Sequence, residues 1–308
     1  MDILGKRYYF YALSFLLIVP GLILLAIDGL PLSIDFTGGS LLEVRFEGNF
    51  LPEPSEVISV YHDLGIEDVQ VQTTGEDTIL ARSSFIDDES LRADIVDNLG
   101  SKFNREVTVL RFDSVGPTVG QEVAARAALA VTVASVIVII YLTFAFRGVL
   151  NAFRYGICAI IAMVHDVALV FSLTGFGAHF FGWQVDALYL TALLTVIGFS
   201  VQDNVVVFDR VRENAMIYRN LPFEKLVNHS IVQTLQRSIN TQLMTVEFML
   251  LALALFGGIT LREFSIILLV GLFSGTYSSI FVAAPILVTW HNREWRTWFH
   301  RETSEASV

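Results

Sequence analysis

Asp203 is an aspartate inside an apolar run. The stretch around it, Gly198 to Asn214 (GFSVQDNVVVFDRVREN), carries that run into a charged, water-seeking end. An ionisable group at membrane depth costs about 2.5–3.5 kcal/mol on insertion scales, so it lines a bundle interior or a polar pathway. The chemistry open to it is taking up and releasing a proton. Arg237 begins the next apolar block, and Thr241 lies one helical turn beyond it on the same face. At 1.5 Å per residue from Ala187, Asp203 lies roughly 24 Å along its helix, toward the side on which Arg237 begins. An arginine brought to that carboxylate offsets part of the cost of burying either charge and biases its hold on a proton. Movement of Arg237 would then switch Asp203 between uptake and release. A static ion pair that fixes helix packing uses the same two residues, and the charge pattern supports both readings equally.

Other candidates carry less. Ser200, Asn204 and Val207 share the Asp203 face, so its polar side is narrow and aims at one neighbour. His165 and Asp166 are adjacent in another apolar block near mid-membrane. Successive helical side chains point about 100° apart, so the two are not expected to face one spot, and a structural hydrogen bond is favoured over a relay. Glu247 follows Arg237 by ten residues in the same block and is either a second protonatable step or a neutral carboxyl bonded within the bundle. Asp209, Arg210, Arg212 and Glu213 read as a solvated helix end or a docking surface. Gly271 and Gly275 have GxxxG spacing, continued by Ser278, Ser279 and Ala283, which reads as close helix packing. The sequence contains no GxxxxGK[ST], HExxH or CxxC, so neither nucleotide-driven nor metal chemistry is supported. No enzyme activity and no cofactor are expected.

The elements that must position these residues are legible in composition. Of 308 residues 54% are hydrophobic and 24 are Phe, too apolar for one soluble domain. The net charge of −11 is concentrated between Leu30 and Gly120, where 17 acids face 6 bases; outside that stretch acids and bases cancel. An acidic, water-exposed domain therefore interrupts a membrane body of zero formal charge, and the acidity carries no indication of nucleic-acid binding. Cys158, the only cysteine, falls in an apolar run as a small buried hydrophobe.

Tyr8 to Ile27 is 20 uncharged residues behind Lys6 and Arg7, long enough to cross a ~30 Å core and too long for a signal-peptide core. Pro20 is placed to kink it. Further apolar blocks run over Ala127–Phe146, Ala152–Leu173, Asp186–Phe208, Ser238–Leu261 and Phe264–Trp290. Turns are expected at Gly175–Trp183 and at Gly257–Gly258. Between the first block and the rest, short alternating runs predict strands over Leu41–Phe46, Val69–Thr73, Thr78–Arg82 and Val107–Phe112. Helices are predicted over Glu53–Leu64 and Asp88–Phe103, with a hairpin around Gly75. The order βαββαβ is that of a ferredoxin-like fold, which by itself assigns no function. The expected architecture is a multi-pass α-helical membrane protein with six transmembrane helices and one exported ferredoxin-like α+β domain between the first two. Its parts are residues 1–29, 30–120, 121–291 and a tail over 292–308. Lys and Arg gather on one side of the blocks, from Lys6 and Arg7 to Arg301. That places both termini in the cytoplasm of a cell-membrane protein and exports the acidic domain.

Several motifs resemble the SecDF protein-export family of the resistance-nodulation-division superfamily, and its SecF half in particular. They are DFTGGS (Asp35 to Ser40), VGPTVG (Val115 to Gly120), HD at His165 and Asp166, the long Gly198 to Asn214 stretch, TLQRS (Thr234 to Ser238) and GTYSSIFVAAP (Gly275 to Pro285). The resemblance implies a SecD-like partner subunit, the SecYEG channel, a preprotein substrate and the proton gradient as energy source for late steps of translocation. It places the proton-responsive acid, arginine and hydroxyl at Asp203, Arg237 and Thr241. The chain departs from the family's pattern at Asn204, where a threonine is common, and at Gln242 and Met244, which are often hydroxyl-bearing. Glu247 lies outside the pattern. Two other classes stay in play: a passive translocon scaffold, and a subunit of a proton-coupled efflux transporter.

Overall fold

The structure, a computed structural model, describes residues 3–48, 50–74, 77–147, 152–242, 248–256 and 259–294. The chain divides into two compact units.

The smaller unit comprises Pro31–Ala130 with Gln184–Ala187. A one-turn helix, Ile34–Thr37, precedes strand β1 (Gly39–Phe46). Then come a helix over Pro54–Asp63, β2 (Val69–Thr74), β3 (Thr78–Ser83), a helix over Glu89–Phe103 and β4 (Val107–Val115). The strands form one antiparallel sheet in the order β2-β3-β1-β4. Leu42, Val44 and Phe46 alternate along β1 with buried side chains, as a period of two requires. They pack with Ile79 and Ala81 of β3 against Val57, Val60 and Tyr61 of one helix and Ile95 and Leu99 of the other. The expected hairpin turn at Gly75 lies outside the described residues. Asp88 caps the second helix by accepting from the Ser90 amide at 2.9 Å. Hydrogen bonds from Ser90 hold its carboxyl below the usual range. Burial pushes the Tyr61 phenol up, and its hydroxyl has no hydrogen-bond partner among the described residues.

The two glycine motifs meet in this unit. Gly38 and Gly39 both have positive φ, 79° and 128°, open to glycine at little cost. A Cβ on Gly38 would lie 2.7 Å from the Pro117 Cα, and one on Gly120 2.7 Å from the Gly38 nitrogen. Asp35, from the same motif, accepts from the Ala187 amide at 3.1 Å.

The larger unit comprises Met1–Leu30, Val131–Trp183 and Leu188–Val308, and its described elements are helical. Numbering the remaining helices in chain order, α1 spans Arg7–Asp28, α2 Pro117–Ala145, α3 Ala152–Phe181, α4 Ala187–Ile217, α5 Phe223–Gln242, α6 Phe248–Phe256, α7 Ile259–Ser278 and α8 Ala284–Asn292. Among the described residues five helical spans are long and apolar enough to cross a membrane: Leu4–Asp28, α2, α3, α4 and Leu261–Asn292. The last joins α7 to α8 through a π-helical turn, Ser279–Ala283. Pro285 just beyond it has no N–H to give the Phe281 carbonyl, and wide turns are sited where the ladder breaks.

Helix α1 runs through Pro20 without interruption and packs along α3. Gly21 and Gly175 meet there: a Cβ on Gly175 would come within 2.2 Å of the Gly21 carbonyl oxygen. This close approach accounts for a difference from the sequence reading, since Gly175 and Gly177 lie inside α3 and not in a turn. The helix continues to Phe181, and the break comes at Gly182, with φ 68°. At one end, Arg7 donates to Glu224 at 2.8 Å and to both carboxylate oxygens of Glu294 at 2.8 Å, tying α1, α5 and the end of α8 together. Gly257 and Gly258, the other expected turn, lie outside the described residues.

Candidate functional site

The site is built where α4, α7 and α3 cross. On α4 the buried face carries Val196, Ser200, Asp203, Asn204 and Val207. Helix α7 comes close because it presents glycine there: a Cβ on Gly271 would lie 2.3 Å from Val196 Cγ2, and one on Gly275 3.3 Å from the Ser200 Cα. Close backbones bring short hydroxyl side chains into range. Thr276 Oγ1 donates to Asp203 Oδ2 at 3.0 Å, and Asp203 is 7% exposed. Asn204 turns its amide to the Ser200 carbonyl at 2.8 Å. Its Oδ1 is buried without a hydrogen-bond partner among the described residues.

One turn along, a second carboxylate is more completely enclosed. Asp166 of α3 has no exposure. Its Oδ2 accepts from Ser200 at 2.5 Å and Ser278 at 2.7 Å. Its Oδ1 accepts from Ser274 at 2.6 Å and lies 3.1 Å from His165 Nδ1. Helices α3, α4 and α7 are thus pinned to one acceptor. The expectation that His165 and Asp166 face different directions is corrected here: their Cα–Cβ bonds do diverge, but the imidazole is long enough to reach back to its neighbour. On its other side His165 Nε2 lies 2.9 Å from Ser14 Oγ of α1, and its ring stacks on Tyr277, with centroids 6.1 Å apart.

Arg237 and Thr241 are placed differently from the aspartate. They sit near the C-terminal end of α5, which is continuous from Phe223, so Arg237 does not begin a helix. Val227, Ser230, Ile231, Thr234 and Ser238 form the buried stripe of α5, and Arg237 and Thr241 are exposed. Among the described residues Arg237 makes no ion pair. The structure therefore brings Asp203 together with Thr276, and Asp166 with His165, without joining Arg237 to either. Glu247 and Met244 lie outside the described residues. Beyond Asp203, α4 ends in local pairs: Arg210 donates to Glu213 and Gln233 at 2.6 Å each. Asn214 donates to Ser230 of α5 at 2.8 Å.

Thr276, Ser274 and Ser14 are the contributors that sequence reasoning passed over. Their signal was available in part: Ser274 and Ser278 stand four residues apart on the small-residue face that was read as packing alone.

Apolar helices that bury two carboxylates among hydroxyls, with an α+β unit following the first helix, define a polytopic membrane protein. Residues 95–293 match the family described as protein export membrane protein SecD/SecF, C-terminal, and residues 23–49 match the SecD/SecF GG motif. The chain belongs to the SecD/SecF family of protein-export membrane proteins. It is 70% identical to the protein translocase subunit SecF of Anaerolinea thermophila over the full length of both chains. It is 34% identical to the SecDF subunit of Thermus thermophilus, covering 99% of this chain and 40% of that one. A crystal structure of SecDF from Thermus, described as a translocon-associated membrane protein, superposes with a TM-score of 0.83 at 33% identity, over 95% of this chain and 39% of that one. A SecDF structure in a super-membrane-facing form gives 0.67, again at 33% identity, over 97% and 40%.

Proposed function

We propose that this chain is the SecF-like subunit of a SecD/SecF complex that uses the proton gradient to drive late steps of preprotein translocation across the cell membrane. The observation that carries the proposal is Asp203: a carboxyl 7% exposed inside a long apolar helix, accepting from the Thr276 hydroxyl of a neighbouring helix. One charge moving through the membrane potential is worth about 2.3 kcal/mol per 100 mV. That is enough to exchange one hydrogen-bonded helix contact for another. In this reading Arg237 and Thr241 approach Asp203 in another state of the cycle. The exposed guanidinium of Arg237 at the end of α5 supports it, because an arginine held in a permanent pair would not be available to move.

The same reading completes the architecture. α6 belongs to a sixth span, supported by its wholly apolar sequence. The four-stranded unit is an exported ferredoxin-like domain, supported by its β2-β3-β1-β4 order. Both termini are cytoplasmic, and the chain acts without enzyme chemistry or a cofactor. SecDF relatives that carry a further three fifths of chain support a SecD-like partner, and SecYEG and a preprotein complete the assembly. The apolar outer faces of α1 and α2, with Phe15, Leu16, Ile137 and Phe144 exposed, suit lipid or that partner.

The test is Asp203→Asn in cells that contain the SecD-like partner, following preprotein export with and without a proton gradient. Normal assembly with export that no longer responds to the gradient is the expected result. Unchanged export removes Asp203 from the coupling. A complex that fails to assemble favours a passive scaffold. Copurification without any SecD-like subunit turns the reading toward an efflux transporter.

A further inference from the structure

His165 and Asp166 are absent from the coupling just described, yet they sit in a hydrogen-bonded network that joins four helices. From Asp166 the chain of contacts runs through His165 to Ser14 Oγ at 2.9 Å, then to Tyr277 Oη at 3.4 Å, and from Tyr277 to the Phe10 carbonyl at 2.9 Å. Hydrogens can be placed on it in two ways that both balance.

With a neutral ring, Nδ1–H donates to Asp166 and Nε2 accepts the Ser14 hydroxyl hydrogen. Tyr277 then donates to the Phe10 carbonyl, and no hydrogen lies between Ser14 and Tyr277, in keeping with their longer separation. With a proton added at Nε2, that N–H donates to Ser14 Oγ, Ser14 donates to Tyr277 Oη, and Tyr277 still donates to Phe10. The added hydrogen gains one hydrogen bond, no donor is left without an acceptor, and the positive charge lies against the Asp166 carboxylate and the face of Tyr277. Tyr277 occupies the carbonyl four residues before Ser14, the acceptor a helical serine commonly uses. The Ser14 hydroxyl is thereby left to turn between His165 and Tyr277.

We infer that the His165–Asp166 couple is a second proton-binding site, in which proton uptake at His165 reverses its hydrogen bond with Ser14 and closes a hydroxyl chain through Tyr277 to helix α1. The groups facing the ring define what tunes it. Asp166 from α3 and Tyr277 from α7 are the titratable ones. α1 contributes Ser14, α4 reaches the couple only through Ser200, and the π turn contributes Phe281, which packs on Phe10 and Tyr277. Asp203 faces Thr276. A protonated ring ties α1 to α3 and α7 through one more hydrogen bond than a neutral one, so α1 senses the charge.

This deepens the proton-driven reading and rests on it for its purpose, but its test does not. The full chain, labelled with ¹⁵N-histidine and held in lipid nanodiscs, is titrated by NMR, with His165→Gln identifying the resonance. As the sample is acidified, His165 is expected to pass from the Nδ1–H tautomer to the doubly protonated ring. Ser14→Ala is expected to lower its proton affinity about tenfold, the loss that follows deletion of one charge-assisted hydrogen bond. Tyr277→Phe keeps the ring and removes the acceptor for Ser14, and is expected to act in the same direction. A ring that stays neutral throughout overturns the inference, as does a titration indifferent to both variants; the couple is then a packing device. Asp203→Asn should leave the His165 titration in place while export fails, so the two readings stand or fall separately.

Discussion

The crossing of α4 and α7 sets how near Thr276 can come to Asp203, and Gly271 is where that crossing is tightest. A methyl placed there would lie 2.3 Å and 3.1 Å from the two γ-carbons of Val196 and 3.2 Å from Val170 Cγ2. Ordinary carbon contacts are about 3.5–4.0 Å, so something must move by more than 1 Å. Val196 cannot step aside, since it is fully buried and a helical valine has one strongly preferred rotamer. Overpacking of this kind costs about 1–3 kcal/mol, of which replacing a helical glycine recovers about 1. Gly271→Ala should therefore destabilise by about 1 kcal/mol, and by no more than about 2. Val196→Ala alone should cost about 2 kcal/mol through the cavity it leaves. Together they should cost about 1 kcal/mol, because the new methyl fills the hole the valine leaves, giving a coupling of about 2 kcal/mol. The measurement is denaturant unfolding of the full chain in detergent micelles, followed by tryptophan fluorescence and circular dichroism. An additive double mutant would refute the close crossing, and with it the account of how Thr276 reaches Asp203.

Two further outcomes concern the small domain. Tyr61→Phe removes a buried hydroxyl that no described residue satisfies, so it should leave the domain unchanged or stabilise it by up to about 1 kcal/mol; a lower melting temperature would reveal a missed partner. Asp88 has its folded pKa lowered by Ser90, so its contribution to stability is full above the unfolded aspartate value of about 3.9 and disappears as pH falls through the folded value. Protection from hydrogen exchange in the first turn of the Glu89–Phe103 helix, measured relative to the unfolded chain at the same pH, should fall below about pH 4, and Asp88→Ala should lack that protection at every pH.

Much of this architecture was legible because local pattern and burial coincide. Leu42, Val44 and Phe46 alternate because one face of the sheet is covered, so strand limits fell within three residues of those observed. The run around Asp203 reads as a helix since nothing in it competes. Other features depend on partners far away in sequence. Ser14, Ser274 and Ser278 are unremarkable as residues, and acquire a role only once α1, α3 and α7 converge on His165 and Asp166. Gly175 and Gly177 look like a turn because glycine serves equally for a turn and for close helix contact, and only Gly21 on the facing helix decides between them. Most of helix α5 falls between the predicted apolar blocks, because its polar face dominates composition. Its stripe from Val227 through Ile231 and Thr234 to Ser238 shows helical spacing when read by itself. Arg237, seven residues after Ser230, borders that stripe with its side chain exposed, which is why its place in the sequence did not translate into contact with Asp203.

The π turn at Ser279–Ala283 bears on how such a bundle can change state. It holds one residue more than an α-helical turn, and that surplus is a unit of slack that can pass along a helix without separating its ends. Passing it one residue toward the N-terminus turns the residue it crosses by about 100°. Ser278 abuts the turn and Thr276 lies three residues before it. These carry hydroxyls that hold Asp166 and Asp203. Helix α7 is thus geared rather than hinged: carrying the turn past Thr276 would rotate both hydroxyls off their carboxylates, while Gly271 and Gly275, which lie before it, would keep their contacts with α4.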